Sequence, residues 1–275
     1  MSIQKYTFPP ILQLETTTAC NLSCPFCLRG RLCGSDEYLS FDVFCRIIDN
    51  TRSQYVTLHG WGEPLMHPAL VDMIRYASGK KRSVNFTTNA TLLTEHTDAL
   101  LDAGLDAIAF SFPDAAQFAP VISRNVSRFV QERADKSRKK PKTYINIALM
   151  EGNFGSVEEG LALAKTVGVD VVNFERSFPW AEEQAISEPA LFSRIRSAAK
   201  KTGCKVTLPA PHTTRCPLFQ LTLFVRWNGD VAPCCYRADH ILGNILQESF
   251  LSILKKRAEF QKTMKHDPIC GRCRV

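Results

Sequence analysis

Between residues 10 and 176 short apolar runs alternate with longer stretches whose apolar positions recur at helical spacing, six times over. The runs predict strands at 11–16, 55–59, 84–88, 107–112, 143–149 and 169–175. The intervening stretches predict helices at 40–52, 67–78, 93–103, 114–137 and 154–167, with another at 187–202 after the last strand. Repeated strand–helix units imply parallel strands with right-handed crossovers. In such folds chemistry gathers at the carboxyl ends of the strands, which draws attention to the residues after each run. Beyond residue 200 the pattern changes. Apolar runs at 221–226 and 231–232 flank Trp227-Asn228-Gly229-Asp230, and Asn-Gly between such runs signals a hairpin. Helical spacing returns between Gln247 and Met264, through Phe250, Leu251, Leu254, Ala258 and Phe260. The pattern predicts a large α/β domain over residues 1–185 and a smaller one over 186–275, with 177–190 as the hinge.

Composition narrows this picture. A chain of 275 residues buries a large core. Its eleven cysteines are an odd number and no signal segment precedes them, which argues against a secreted disulfide framework. Free thiols need a reducing compartment, so a cytoplasmic location is expected. No apolar run approaches the roughly 18 residues of a membrane span. The formal charge of +7 has a visible source in Arg133-Ala134-Asp135-Lys136-Ser137-Arg138-Lys139-Lys140-Pro141-Lys142. Such a run suits a solvated helix end, and no nucleic-acid motif accompanies it. Nucleic acid is therefore not the expected partner, although positive charge also suits a phosphorylated or nucleotide-linked small substrate.

The chemistry starts after the first strand. Cys20, Cys24 and Cys27 are spaced Cys-x3-Cys-x2-Cys. Three thiolates on one tight loop can hold three corners of a [4Fe–4S] cube. The fourth iron is then open, as a catalytic zinc site is open. A zinc loop is the alternative. The segment Thr16-Thr17-Thr18-Ala19-Cys20-Asn21-Leu22-Ser23-Cys24-Pro25-Phe26-Cys27 resembles the cluster loop of the radical S-adenosylmethionine (SAM) superfamily. The resemblance implies that the amino and carboxylate groups of SAM chelate the open iron, and that an electron from the cluster yields a 5′-deoxyadenosyl radical. It also places Phe26 against the adenine.

Two further segments extend the resemblance. Gly60-Trp61-Gly62-Glu63-Pro64 is similar to the family's Gly-Gly-Glu-Pro element, so Gly60, Gly62 and Glu63 are expected at the SAM ammonium group, with Trp61 where a second glycine often stands. Glycine permits close backbone approach, and a carboxylate is a charge-assisted acceptor. Thr87-Thr88-Asn89-Ala90 is similar to the Thr-Asn-Gly ending of the third strand, adding Thr88 and Asn89 to the SAM contacts. Ser111 and Met150 stand where family members bind the SAM ribose or adenine. Six strand–helix units match the family's partial (β/α)6 TIM-like barrel.

Far along the chain, Cys216-x12-Gly229-x4-Cys234 is followed by Cys270-x2-Cys273. This resembles the auxiliary-cluster module called SPASM, or its shorter form, twitch. With Val275 closing the sequence, the twitch form and one cluster are expected, carried by a β-hairpin plus helix. Four cysteines ligate such a cluster fully, which suits electron transfer or structural support. A four-cysteine zinc site is the alternative.

The resemblance implies a second [4Fe–4S] cluster, SAM, a reductase such as flavodoxin or ferredoxin, and a small-molecule substrate. Strand one begins within about ten residues, so a leader-peptide-binding domain is not expected and the small-molecule reading leads. Size and pattern are similar to the aminocyclitol dehydrogenases, which implies oxidation of an alcohol on a sugar- or cyclitol-like molecule. Arg176, at the end of strand six, is a candidate substrate-binding residue or the partner of Glu175. Cys235 is a candidate hydrogen donor, which would make the reaction a radical epimerisation, or a buried small hydrophobe. His59 and His67 read as packed or capping residues. Peptide modification, activation of another enzyme and a non-enzymatic iron–sulfur or zinc regulator remain as alternatives.

Overall fold

The computed structural model describes residues 8–24, 27–112, 120–149, 154–176, 188–210 and 216–273. The chain forms two compact units that do not follow chain order. The first takes residues 1–86, 103–105 and 214–273, and the second takes 87–102, 106–213 and 274–275.

In the first unit, β1 (Ile11–Leu14) leads to a short helix α1 (Arg29–Leu32) and then to α2 (Phe41–Asn50). Next come β2 (Tyr55–Thr57), α3 (Leu70–Gly79) and β3 (Ser83–Thr88), whose last two residues belong to the second unit. Ser40 caps α2 by accepting from the Val43 N–H. β1, β2 and β3 pair in parallel. Leu12, Leu14, Val56, Val84 and Phe86 are their buried apolar positions, and Gln13 and Thr88 are buried polar ones.

The second unit carries α4 (Leu93–Asp102), β4 (Ala107–Phe112), α5 (Pro120–Asp135), β5 (Lys142–Leu149), α6 (Phe154–Val167), β6 (Val171–Arg176), α7 (Glu188–Thr202) and β7 (Val206–Thr207). Its strands run in the order β4-β5-β6-β7, all parallel. Burial alternates strictly along β4 and β5, because successive side chains point to opposite faces, and the alternation breaks at Val171 of β6, which is buried like Val172. One face, with Ile108, Phe110, Ile145, Ile147, Val172 and Phe174, is buried. It meets the helices: the Phe110 ring lies edge-on to Phe129 of α5, and Gly160 of α6 sits over Ile147 and Phe112. The opposite face mixes the polar Ser111, Asn146, Asn173 and Glu175 with Ala107, Ala109, Ala148 and the buried Val171.

The chain then returns to the first unit with α8 (Pro217–Leu221), β8 (Thr222–Val225), β9 (Asp230–Ala232), β10 (Gly243–Asn244) and α9 (Phe250–Thr263). β8 pairs in parallel with β1, Ile11 opposite Thr222 through Leu14 opposite Val225. The expected hairpin forms between β8 and β9, turning through Gly229 at φ +86°. The order in this unit is β10-β9-β8-β1-β2-β3. The hairpin is thus fused to the first strand of the parallel sheet.

The basic run is locally neutralised. Lys136, Arg138 and Lys140 pair with Asp98, Asp102 and Asp106, four residues apart along α4 and the approach to β4. Arg133 turns inward to Asp170. No helix among the described residues is long and apolar enough to cross a membrane.

Candidate functional site: two thiol clusters and a polar strand face

β1 delivers the first cysteines. Glu15, Thr16, Thr17, Thr18 and Ala19 are all buried. Their backbone is stitched to the segment closing the loop: Thr18 N–H donates to Glu37 O (3.0 Å), Leu39 N–H to Thr16 O (2.8 Å), and Thr17 Oγ1–H to Glu37 O (2.7 Å). Arg29 donates to Thr18 O and to Asp36. The loop is therefore rigid where the cysteines begin. Cys27 is exposed, and Cys20 and Cys24 are half-buried. Leu22 N–H points at Cys20 Sγ (3.5 Å) and Arg29 N–H at Cys27 Sγ (3.4 Å), the amide support a thiolate ligand uses. Burial raises the Cys20 thiol, Glu63 and Cys27 add to that rise, and Cys24 is coupled to Cys27. The three sulfurs thus share one electrostatic neighbourhood. Phe26 lies outside the described residues.

The Gly60–Glu63 loop packs against this one. A Cβ on Gly62 would lie 2.3 Å from Thr17 O and 2.6 Å from Ala19 O, and one on Gly60 would strike the Glu15 side chain. Both glycines are required by the protein's own chain. Glu63 N–H donates to Ala19 O (2.7 Å), and the Glu63 carboxylate caps the turn at Pro64–Met66 by accepting from Leu65 N–H (3.0 Å). Trp61 faces the other way. Its indole N–H donates to Cys235 O (2.9 Å) and its ring lies edge-on to Tyr236. His67 is a capping residue, bonded to Leu39 O and accepting from Ala69 N–H. His59 is crowded by protein, which lowers its pKa to about 4, and its Nδ1 has no partner.

The second group of thiols is assembled by α8, the hairpin and the chain after α9. Cys216 caps α8, accepting from Phe219 N–H (3.4 Å). Cys216 and Cys270 pack against one apolar cluster of Phe219, Leu242 and Phe260. Burial raises the Cys234 thiol well above its ordinary range, with Cys235 and Cys216 adding to it. Cys270 is pushed up to about 12, chiefly by burial and Asp267, and is coupled to Cys273. Asp267 ties the pieces: it accepts from Cys270 N–H (2.8 Å) and pairs with Arg237 (3.0 Å), three residues after Cys234.

Two buried charges escaped the sequence reading. Glu15 has no exposed surface; it accepts from Trp61 N–H, and its Oε2 lies 3.6 Å from Arg226 Nε. Arg257, on α9, is 5% exposed and stacks on the Phe219 ring at 4.3 Å. It donates to the Phe219 and Thr222 carbonyls, and its Nη1 has no partner. Burial lowers its pKa to about 10, opposed by Cys234 and Cys216. An unsatisfied guanidinium buried beside the Cys216 and Cys234 thiols fits an anionic thiolate centre. Arg257 has a sequence signal, since it stands four residues after Ile253 and three before Phe260, in the buried stripe. No three His, Cys, Asp or Glu side chains among the described residues gather tightly enough for a single metal ion; a [4Fe–4S] cube takes each thiolate on a separate iron.

In the second unit the polar face forms a ladder. Ser111, Asn146, Asn173 and Thr207 stand in register across four strands. Asn173 donates to Asn146 Oδ1 (3.3 Å) and to Glu175 Oε1 (2.8 Å), and Thr207 donates to Asn173 Oδ1. Glu175, beside Ala148, keeps its solvent access, yet protein crowds its carboxyl and that burial raises its pKa against the pull of Asn173. Arg176 falls on the alternate side with Phe174 and donates to Ala210 O (2.8 Å). Thr88 Oγ1 accepts from Ala90 N–H, and Asn89 Oδ1 from Thr91 N–H, so both shape the turn after β3. Met150 lies outside the described residues.

Comparison with known proteins shows the family. The Radical SAM superfamily model covers residues 14–174, more than half of the chain, and the chain belongs to that superfamily. The iron-sulfur cluster-binding SPASM domain matches residues 216–274. The protein is a radical SAM enzyme that uses a [4Fe–4S] cluster with SAM, and its SPASM segment indicates an auxiliary iron–sulfur cluster. The chain is 26% identical to a tungsten-containing aldehyde ferredoxin oxidoreductase cofactor-modifying protein of Pyrococcus furiosus, over 83% of this chain and 71% of that one. It is also 26% identical to the AdoMet-dependent heme synthase of Methanosarcina barkeri, over 97% and 88%. Among solved structures, Streptococcus suis SuiB bound to precursor peptide SuiA aligns with a TM-score of 0.71 at 15% identity, covering 96% of this chain and 66% of that one. BtrN in complex with AdoMet and 2-DOIA aligns at 0.58 and 14% identity, covering 98% and 94%. These likenesses show the fold, an α/β partial TIM-like barrel with a small C-terminal hairpin-plus-helix domain.

Proposed function

We propose that this enzyme abstracts a hydrogen atom from a small polar substrate, sugar- or aminocyclitol-like, and that the outcome is oxidation of an alcohol. The polar ladder ending at Glu175 carries this reading. Asn146, Asn173 and Thr207, in register on one sheet face, offer donors and acceptors to hydroxyl groups. When bound, the two clusters and SAM supply a 5′-deoxyadenosyl radical to remove the hydrogen and an acceptor for the electron released as the alcohol becomes a carbonyl. The hydroxyl proton passes to Glu175, whose raised pKa suits a general base. Gly60–Glu63, Thr88, Asn89 and Ser111 serve SAM, and a flavodoxin or ferredoxin supplies the electron. The names of the two relatives concern a cofactor and heme, which keeps a small molecule ahead of a peptide.

Radical epimerisation is the second reading, favoured by one neighbour: burial raises the Cys235 thiol to about 12, and the Gln13 side chain opposes that rise. Gln13 stands in register with Thr57, itself in register with Asn85, a polar row of the first unit. Against it, Cys235 packs on Phe224, Ala232 and Ala238.

The test is anaerobic turnover with SAM, dithionite and a panel of polyols and aminocyclitols in D2O. Oxidation gives 5′-deoxyadenosine and a product lacking two hydrogens. A product that gains one deuterium on carbon rejects oxidation in favour of a thiol donor. Conversion of peptides alone removes the polar-substrate reading.

A further inference from the structure

The feature that the reaction leaves unexplained is the guanidinium of Arg257. An arginine that is 5% exposed and carries an unpartnered Nη1 is costly, because burying a charge without full hydrogen bonding is strongly unfavourable. Its other contacts fix it in place. Two backbone carbonyls, of Phe219 and Thr222, hold Nη2, and the Phe219 ring lies 4.3 Å from the guanidinium carbon. That same ring belongs to the apolar cluster against which Cys216 and Cys270 pack. No carboxylate pairs with Arg257 among the described residues, whereas Arg237 has both Asp239 and Asp267. The guanidinium is therefore anchored by neutral groups on one side and unsatisfied on the other, beside thiols.

We propose that Arg257 is the counter-charge of the auxiliary cluster: its Nη1 donates a hydrogen bond to a thiolate or sulfide of that cluster and raises the cluster's reduction potential. Charge and hydrogen bonds to sulfur are among the levers that set such potentials. Reduction adds one negative charge to the cluster, and a fixed cation stabilises the reduced form over the oxidised one. Arg257 thereby biases the auxiliary cluster towards accepting an electron. The proposal rests on the auxiliary-cluster assignment and needs no substrate, so it stands or falls separately from the oxidation reading.

The experiment uses full-length protein carrying Cys20→Ala/Cys24→Ala/Cys27→Ala, which leaves only the auxiliary cluster, and follows its midpoint potential by EPR-monitored titration. Arg257→Gln is expected to shift the reduced-to-oxidised equilibrium at least tenfold towards oxidised, about 59 mV lower for one electron. Arg257→Lys, which keeps the charge, is expected to fall between. An unchanged potential in Arg257→Gln overturns the proposal. A second measurement needs no variant at position 257. With 15N-arginine incorporated, the reduced cluster is expected to show a 15N hyperfine coupling in pulsed EPR; its absence in fully loaded protein also overturns the hydrogen bond.

Discussion

The turn after β2 and the turn after β3 do the same job in opposite ways. At Gly60-Trp61-Gly62-Glu63 the main chain is pressed so close to the cysteine loop that no Cβ fits at either glycine. At Thr88-Asn89-Ala90-Thr91 an alanine occupies the left-handed region, φ 61°, where glycine is at ease. There Asn125 donates to Ala90 O (3.0 Å) and Thr91 O (3.1 Å), and the turn's own side chains complete it. The contrast extends to the two units. Around the first cysteines the tightest constraints on residue type are the backbone contacts at Gly60 and Gly62, with Thr17 and Arg29 adding side-chain hydrogen bonds. The polar face of the second unit is set by side-chain hydrogen bonds, which several residue types can make.

The largest effect should come from breaking the first kind of contact. Gly62→Ala puts a methyl group against two carbonyl oxygens that belong to the cysteine loop and cannot rotate away. Overpacking of a close-packed site typically costs 1–3 kcal/mol, and contact with backbone should place this variant at about 3 kcal/mol or more. Because the displaced loop holds Cys20, iron after reconstitution should fall from about eight per chain towards about four, with 5′-deoxyadenosine lost. Full iron content in Gly62→Ala would show that the loop is softer than its packing implies.

Glu175→Gln tests the second unit's chemistry with no expected loss of stability. Removing a general base lowers turnover by roughly 10²–10⁴. The stability sign is the reverse of the usual one. A carboxyl whose folded pKa is raised binds its proton more tightly when folded, so its ionised form costs stability once the pH exceeds that pKa. Glutamine removes this cost, and at pH 7 the variant should melt no lower than wild type. The advantage should vanish below about pH 4, where the wild-type carboxyl is neutral in both states. A fall in melting temperature would make Glu175 a structural residue.

How much of this was legible follows the same division. The cysteines, the glycine loop and the alternation of strands and helices stand in the sequence because close backbone packing and thiolate ligation admit few residue types. The predicted strand at 169–175 and the observed β6 at Val171–Arg176 differ only at their ends. The polar ladder was not legible, because Asn146 and Asn173 look like ordinary residues until register puts them side by side. Arg257 was missed for another reason: a periodicity search credits apolar residues only, so a buried cation in the stripe reads as its polar face. Glu15 hid likewise behind the apolar run that precedes it. The hairpin was visible, but its pairing with β1 was not, since nothing local to residues 221–232 specifies a parallel partner more than 200 residues earlier.

Asp170→Asn is the counterpart of Glu175→Gln within the same unit. Asp170 accepts from Arg133 and from both the N–H and the hydroxyl of Thr143. Burial opposes its ionisation, but Arg133 and the Thr143 bonds together hold its pKa below the usual carboxylate value. Breaking a buried pair costs roughly 3–5 kcal/mol, and partial exposure of Asp170 brings the expectation to about 2 kcal/mol. Since the folded pKa is depressed, the contribution is complete above about pH 4 and is lost as the pH falls through the lower folded value. Chemical denaturation at pH 7 and pH 3 should show the gap between wild type and variant narrowing, with turnover per folded molecule unchanged at pH 7.

Ala90→Gly should have the smallest effect, and in the stabilising direction. A non-glycine residue in the left-handed region costs roughly 1–2 kcal/mol. Glycine relieves that but loosens the unfolded chain, giving back about 0.4–1 kcal/mol. The net gain is about 0.5 kcal/mol, a rise of about 1–2 °C in melting temperature. It depends on the turn keeping its shape, because Asn125 must still reach the carbonyl of residue 90. If Ala90→Gly is instead destabilising, the methyl group, which is fully buried, contributes more by packing than the backbone loses by strain. The turn after β3 would then resemble the turn after β2 in being set by close contact, and the contrast between the two would lie only in which residue fills the space.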